Sequence, residues 1–344
     1  VRYEGSNRLG KATSARWLPT WNISTAWNVH EEPWFEKTFK NYLTHATLKA
    51  SYSLTGDKPA VTNAQVIINS YTPWRPYSTD RESGLDIRSF ANDELTYEKK
   101  HELNIGIDLG FFNNRINVAF DWYRRNNYDL IGPKTTTGVG GSIMKYANVA
   151  SMKSNGEELS ISSKNIMKKN FQWTTDFIFS HVKTRVTALD SRSRIMSMVS
   201  GSGFTMVGYP YRALFSWDFK GLDKHGIPQV INQEGKLTTS GVDFQSYDLD
   251  HLVYEGPTDP TVTGSFGNTF SYKGWHLSIF TTYAFGNKVR LDPFFSTYYS
   301  DMSAMPKEFR NRWTKAGDEA YTNIPAIADL RSIQHDGYLS RAYN

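Results

Sequence analysis

A run of strictly alternating residues limits what this chain can fold into more than any other feature. In residues 101–131, apolar and polar side chains alternate along two arms that a short Asn-Asn turn separates. The apolar positions are Leu103, Ile105, Ile107 and Leu109, then Ile116, Val118, Phe120 and Trp122. This pattern predicts a β-hairpin with one apolar and one polar face. Its arms run to roughly 13 residues, whereas ordinary strands run to about 5–6.

The same alternation recurs along the chain, and no charged residue stands between the apolar residues that it places on one face. It predicts antiparallel strands at 18–30, 44–55, 97–110, 116–130, 156–166, 171–187, 260–272 and 275–286, with residues 1–3 as the end of another strand. No run of about 18 apolar residues occurs, which excludes a transmembrane helix. The mean hydropathy of −0.53 still permits a membrane protein, because only alternate residues of a barrel strand face lipid.

Short and long connections alternate between the predicted strands. The tight ones lie at 111–115, 168–170 and 273–274, and the segment 31–43 is a medium connection with a helical turn. The long ones are 56–96, 132–155, 189–259 and 288–344. In an up-and-down sheet this order places the short turns on one rim and the long loops on the other, as in outer-membrane barrels with periplasmic turns and extracellular loops. A soluble β-sandwich, such as a carbohydrate-binding module, also alternates and remains the alternative.

Aromatic residues make up 15% of the chain, and several of them lie near the ends of predicted strands. These are Trp21, Trp27, Trp122, Trp173, Trp275 and Tyr283. An interfacial girdle of a membrane barrel would occupy such positions. Aromatic residues favour strands in general, so a single tryptophan does not distinguish a girdle from an ordinary sheet.

Little in the chain indicates catalysis. It has no cysteine, which excludes disulfides, thiolate metal sites and a cysteine nucleophile. The eight histidines show no metal-binding spacing, and a net charge of +5 is too small for a typical nucleic-acid binder. We expect no enzymatic activity, no metal, no cofactor and no nucleic-acid partner. A barrel enzyme remains a further alternative, although no serine or acid pair on adjacent strands identifies one.

Residues 95–131 read LTYEKKHELNIGIDLGFFNNRINVAFDWYRRNNYDLI. This stretch resembles the signature hairpin of the SusC/RagA-like TonB-dependent outer-membrane transporters. Shorter matches follow the family in order along the chain: EGSNRLG, LKASYSLTGD, GYPYRALFSWDFKGLDKHGIPQ, GSFGNTFSYKGWHLSIFTTYAFGNKV and RNRWTKAGD. In the last of these Ala316 stands where the family usually has proline. The resemblance covers essentially the whole chain.

The resemblance implies more than the alternation shows. Members of the family form barrels of about 22 strands, filled by an N-terminal plug domain. They import oligosaccharides, peptides or other large nutrients with energy passed on by the TonB complex, and a SusD/RagB-like surface lipoprotein covers the extracellular mouth. Residues 1–344 would then be part of an all-β, antiparallel transmembrane barrel in the outer membrane. The plug domain, the TonB-contacting segment and the final strands would lie outside this chain.

Loop residues are the best candidates for ligand binding, because binding residues concentrate in loops. In the long loops, aromatic rings can stack on sugars or peptide side chains, and arginine can bind a carboxylate. The candidates are Tyr71, Trp74, Arg75 and Tyr77 in one loop, and Phe204, Tyr209, Tyr211, Arg212, Phe215 and Trp217 in another. Alternatively, these aromatics pack the loops against each other or against the lid. The substrate class does not follow from them.

The predicted strands do not make a complete barrel. Backbone groups left unpaired in hydrocarbon cost several kcal/mol each, so a membrane sheet needs closed or covered edges. About eight strands can close a small barrel, but the long segment 288–344 would then have no place in it. We therefore expect that strands 18–30 and 275–286 do not pair with each other, and that chain outside this sequence pairs with them.

Overall fold

The computed structural model of the chain describes residues 1–39, 42–58, 64–74, 82–136, 144–199, 203–240, 242–291, 302 and 307–326. Its strands are β1 Arg2–Gly5, β2 Trp17–Asn28, β3 Leu43–Asp57, β4 Ile67–Tyr71, β5 Gly84–Ser89, β6 Glu98–Phe111, β7 Ile116–Thr135, β8 Met144–Met167, β9 Phe171–Leu189, β10 Ala213–Ser216, β11 Asp218–Leu222, β12 Pro228–Ile231, β13 Leu237–Thr238, β14 Val253–Pro257, β15 Val262–Tyr272 and β16 Trp275–Phe285. The helices are α1 Thr13–Arg16, α2 Pro33–Phe39 and α3 Ile195–Val199, with 3-10 turns at Val29–Glu31, Lys307–Asn311 and Asp318–Ala320. Within the described residues, none of the helices has the length and apolar character needed to cross a membrane.

The chain divides into two compact units. Unit 1 comprises Val1–Ser191, Val207–Tyr209 and Thr261–Phe285. Unit 2 comprises Arg192–Met206, Pro210–Pro260 and Gly286–Asn344.

Unit 1 contains a nine-stranded sheet in the order β1-β2-β3-β6-β7-β8-β9-β15-β16. All neighbouring pairs are antiparallel, which confirms the predicted fold class. The strand predicted at the start of the chain is β1. Among the described residues the order ends at β1 and β16, so β2 and β16 do not pair with each other, as the sequence predicts.

The tight turns lie where the sequence predicts them. Asn113 and Asn114 adopt left-handed backbone conformations with φ of 56° and 58°, and Lys273 has φ 44°. Consecutive left-handed residues are typical of hairpin turns whose twist matches the flanking strands, and asparagine tolerates this conformation well. The medium connection contains a 3-10 turn and helix α2, which confirms its predicted helical turn.

The long connections are more structured than the sequence suggests. The prediction of a loop at 132–155 is wrong for most of that segment, because β7 continues to Thr135 and β8 starts at Met144. The segment 56–96 contains the β4–β5 hairpin, and 189–259 contains α3 and strands β10 to β14.

The two faces of the large sheet differ in chemistry. We call the face with Ile105, Ile107 and Phe120 the apolar face, and the opposite one the polar face. The apolar side chains are open to the surroundings: Ile23 is 71% exposed and Ile279 54%. Such exposure is unfavourable in water and ordinary for residues that face lipid.

Each unit has its own buried core. In unit 1, a cluster near the start of the sheet consists of Leu9, Leu18, Ala64, Leu95 and Tyr97. It joins the loop after β1 to the ends of the 58–97 connection, where the Gly10 N–H donates to the Leu95 carbonyl at 2.8 Å. In unit 2, the core consists of Ile195, Val199, Trp217 and Val230.

Candidate functional site

The polar face of the sheet carries ion pairs at the level of the central apolar residues. Lys49 on β3 pairs with Asp108 on β6 at 2.8 Å. Gly106 lies directly between Lys49 and Asp121 in the register, and a Cβ there would come within 2.4 Å of an Asp121 carboxylate oxygen. The glycine therefore makes room for a charged row along this wall.

A second polar cluster lies farther along the same face. Glu102 accepts from Lys100 at 2.8 Å and from Arg125 at 3.1 Å. The Arg125 guanidinium lies over the Tyr123 ring, 3.8 Å from its centre, and that buried ring covers Gly156. Sequence reasoning did not single out these residues, although their alternation with the apolar positions places them on one face. The arrangement makes a fixed polar wall and offers no nucleophile paired with a base.

The apolar face carries an aromatic row across four neighbouring strands. The rings of Trp21 and Tyr52 meet edge to face at 5.4 Å, His101 stacks on Tyr52 at 5.7 Å, and Tyr128 stacks on His101 at 5.7 Å. The row lies on the side of the long connections, beyond the central apolar band. Its position fits the girdle that the sequence predicts for Trp21.

The first group of candidate residues lies at a small exposed hairpin. Tyr71 ends β4 and is opposite Gly84 of β5, and its ring is half exposed. Trp74 follows it and is 85% exposed. Arg75 and Tyr77 lie outside the described residues.

Three candidates of the second group come together in unit 2. Backbone hydrogen bonds in both directions join Phe204 to Ala213, at 2.8 and 2.9 Å. The hydroxyl of Thr205 donates to the carbonyl of Tyr211 at 2.8 Å, and Arg212 pairs with Asp259 at 2.5 Å. Phe204, Tyr211 and Arg212 are all partly exposed. They form an aromatic surface beside an arginine that already has a carboxylate partner.

The remaining candidates of this group are placed differently. Phe215 and Trp217 are 1% exposed, and the Trp217 ring packs against Phe244 and His251 at 6.1 and 4.9 Å. These positions fit the packing alternative rather than ligand contact. Tyr209 belongs to unit 1, where its carbonyl accepts from the Val186 N–H at 2.8 Å.

One described loop of unit 2 is held by carboxylates. Asp318 accepts from the Thr314 hydroxyl at 2.8 Å, the Thr314 N–H at 3.0 Å and the Lys315 N–H at 3.1 Å. The hydrogen bonds from Thr314 hold the pKa of Asp318 below its ordinary value. Glu319 accepts from the Trp313 indole at 2.9 Å, which likewise lowers the pKa of Glu319.

No group of three or more histidine, aspartate and glutamate residues in the described part of the chain has the arrangement of a metal site.

Comparison with known proteins relates the chain to bacterial receptors. No family model matches it. The TonB-dependent receptor P3 of Formosa agariphila is 24% identical over 100% of this chain and 36% of that receptor. The TonB-dependent receptor SusC of Bacteroides thetaiotaomicron is 28% identical over 55% of this chain and 19% of SusC. The chain thus spans about a third or less of the length of these curated relatives.

Solved structures show the same fold. The structure of the RagAB peptide transporter matches with a TM-score of 0.73 at 23% identity, covering 94% of this chain and 35% of that chain. The "open-open" state of the RagAB peptide importer matches with a TM-score of 0.67. Together with the relatives, these matches confirm the predicted resemblance, the β-barrel class and the outer-membrane location.

Proposed function

We propose that this relative of the SusC-like TonB-dependent transporters forms part of the barrel wall of an outer-membrane importer. One observation carries the proposal: a long antiparallel sheet exposes apolar side chains on one face and holds ion-paired charges on the other. A wall between lipid and a polar lumen needs this division. The function is transport, and we assign no catalytic step to the chain.

The proposal extends to the domain organisation. Residues 1–344 would be barrel, and a plug domain, the TonB contact and the final strands would belong to other parts of the protein. The sheet order supports this division, because unpaired backbone groups at β1 and β16 would cost several kcal/mol each in hydrocarbon.

A SusD/RagB-like lipoprotein is the partner that we propose for the β4–β5 hairpin. A two-stranded hairpin is marginally stable alone, and this one exposes Ile68, Tyr71, Trp74 and Leu85. Replacing Ile68 and Leu85 by aspartate should abolish co-purification of the lipoprotein with the full-length transporter. The matched control, Leu237→Asp, changes a leucine of unit 2 that is as exposed as Ile68, at 54%, and should leave co-purification intact.

The substrate that we propose is an oligosaccharide or a peptide, which would contact Phe204, Tyr211 and Arg212. Tyr211 can stack on a sugar ring or an apolar side chain, and Arg212 can exchange Asp259 for a substrate carboxylate. Arg212→Gln should then raise the KM for uptake of acidic peptides more than the KM for neutral oligosaccharides. Tyr321→Ala, at a 92% exposed tyrosine of the same unit, serves as the control.

Two measurements test the transport proposal itself. Labelled peptide and oligosaccharide pools should enter cells that carry the full-length protein, and this uptake should stop when TonB is deleted. Release of the protein from membranes by carbonate without detergent would instead support the soluble binding-module alternative.

A further inference from the structure

Four cationic side chains, none of them paired within the described residues, lie together on the apolar face of the large sheet, where the apolar residues of β7, β8 and β9 end. They are Arg124 on β7, Lys153 on β8, and Lys183 and Arg185 on β9. All four are exposed. We call them the basic patch. On β7 the apolar residues end at Trp122, and Arg124 is the next residue on the same face, opposite Leu103, which is the last apolar residue of β6 on this side.

The strand register fixes how close these cations lie. Lys153 is directly opposite Arg185, while Arg124 and Lys183 are both opposite Asn155. The register is regular from Lys153 to Ile161, so all four positions share the face of Phe120 and Leu159. Side chains directly opposite on antiparallel strands have Cβ atoms about 4.5–5.5 Å apart, and like charges at that distance destabilise the pair. A bound anion would remove this cost.

The protein itself supplies little compensating charge. Within the part of the chain that the structure describes, none of the four cations makes an ion pair or a side-chain hydrogen bond. Lys99, another cation near this end of the face, is instead paired with Asp129 at 2.6 Å. The acidic residue on the same face nearest the patch is Glu157, which lies opposite Trp122 and His181, one step closer to the apolar band.

We propose that the basic patch binds the phosphate groups of membrane-lipid headgroups in the leaflet beside the long connections. The patch continues the lipid-facing surface at the level where acyl chains give way to headgroups, and its charge is complementary to phosphate. Lysine and arginine at such positions keep their stems against the apolar surface and extend their charges toward the headgroups. This inference uses the membrane location of the sheet and is independent of what the protein imports.

The test uses the full-length transporter in nanodiscs of phosphatidylcholine, with or without bisphosphorylated lipid A, and native mass spectrometry to count retained lipid A. Removing two charges with Lys153→Gln and Arg185→Gln should weaken retention roughly 30-fold. The charge-preserving pair Lys153→Arg and Arg185→Lys should retain lipid A. Heat-modifiable mobility in gels verifies that each variant is folded.

The matched control removes two exposed charges from the short-turn rim through Lys168→Gln and Lys169→Gln, and should leave retention unchanged. Equal weakening by both double variants would overturn the proposal, because it would indicate a general charge effect. Unchanged lipid A retention in the Lys153→Gln and Arg185→Gln variant would also overturn the proposal. If that variant kept lipid A but no longer co-purified with the lipoprotein, the patch would be a protein-binding surface, and the proposal would likewise be overturned.

Discussion

Replacing Ile107 by arginine places a charge at the middle of the apolar face. The apolar positions of β6 run from Leu103 to Phe111, with Ile107 at the centre. Eight residue steps of about 3.4 Å, at a barrel tilt of about 40°, give a height of roughly 21 Å, close to the band of about 25 Å expected for an outer-membrane barrel. Ile107 would thus lie near the bilayer midplane, where arginine costs about 2–4 kcal/mol.

Unfolding of the full-length protein from lipid vesicles by urea measures this cost, with heat-modifiable gel mobility reporting the folded fraction. Ser160→Arg is the matched control, because Ser160 neighbours Leu159 at the same level of the sheet and faces the other way. Its cost should be near zero. Equal stability of the Ile107 and Ser160 variants would refute the assignment of the apolar face to lipid.

Three further predictions follow from individual contacts. Trp217→Ala removes the centre of the unit 2 core and should cost about 3–5 kcal/mol, seen as rapid proteolysis within 192–260. Because hydrogen bonds from Thr314 lower the pKa of Asp318, their support for this loop is complete above the unfolded-state pKa. This support is lost as the pH falls through the lower pKa that Asp318 has in the folded protein. Hydrogen exchange of the Thr314 amide should accelerate in that pH range in the parent protein but not in the Asp318→Asn variant. Since residues 1–344 contain no cysteine, Trp74→Cys and Asn113→Cys each add one labelling site to this part of the protein, and the unsubstituted full-length protein gives the background. Intact cells should react at position 74 only, and reaction at 113 instead would invert the topology.

The alternation of apolar and polar residues predicts the central sheet well, because every second residue of a strand lies on the same face and must be apolar there. The arm before Asn113 and both strands of the hairpin around Lys273 are found within two residues of their predicted ends, whereas the arm after Asn113, predicted to end at 130, continues to Thr135. Small elements within the long connections escape this reasoning. Strands such as β10 and β12 span four residues each, too few to establish a period against the surrounding sequence.

The candidate site was harder to predict, because residue type alone does not reveal burial. Tyr211 and Trp217 are equally plausible as stacking residues in the sequence, yet one lies at the surface and the other in a core. That difference depends on α3 and on residues 242–252, which pack around Trp217 from positions distant in sequence. Two ion pairs of the polar face likewise join neighbouring strands, because only the register brings Lys49 to Asp108 and Glu102 to Arg125.

The largest error in predicted strand length, at β7 and β8, has a physical cause. The predicted strand 156–166 begins where alternation begins, but β8 starts at Met144 and β7 extends to Thr135. In the extension of β8 both faces carry polar residues, including Lys153 on the face that is apolar farther along. On β7 the same face turns polar at Arg124, inside the predicted strand. Hydrogen bonding between strands needs no apolar side chains, whereas contact with acyl chains does. On the proposed lipid contact of the apolar face, alternation therefore marks the part of each strand that faces hydrocarbon, and its loss inside a continuing strand marks the height at which the headgroups begin.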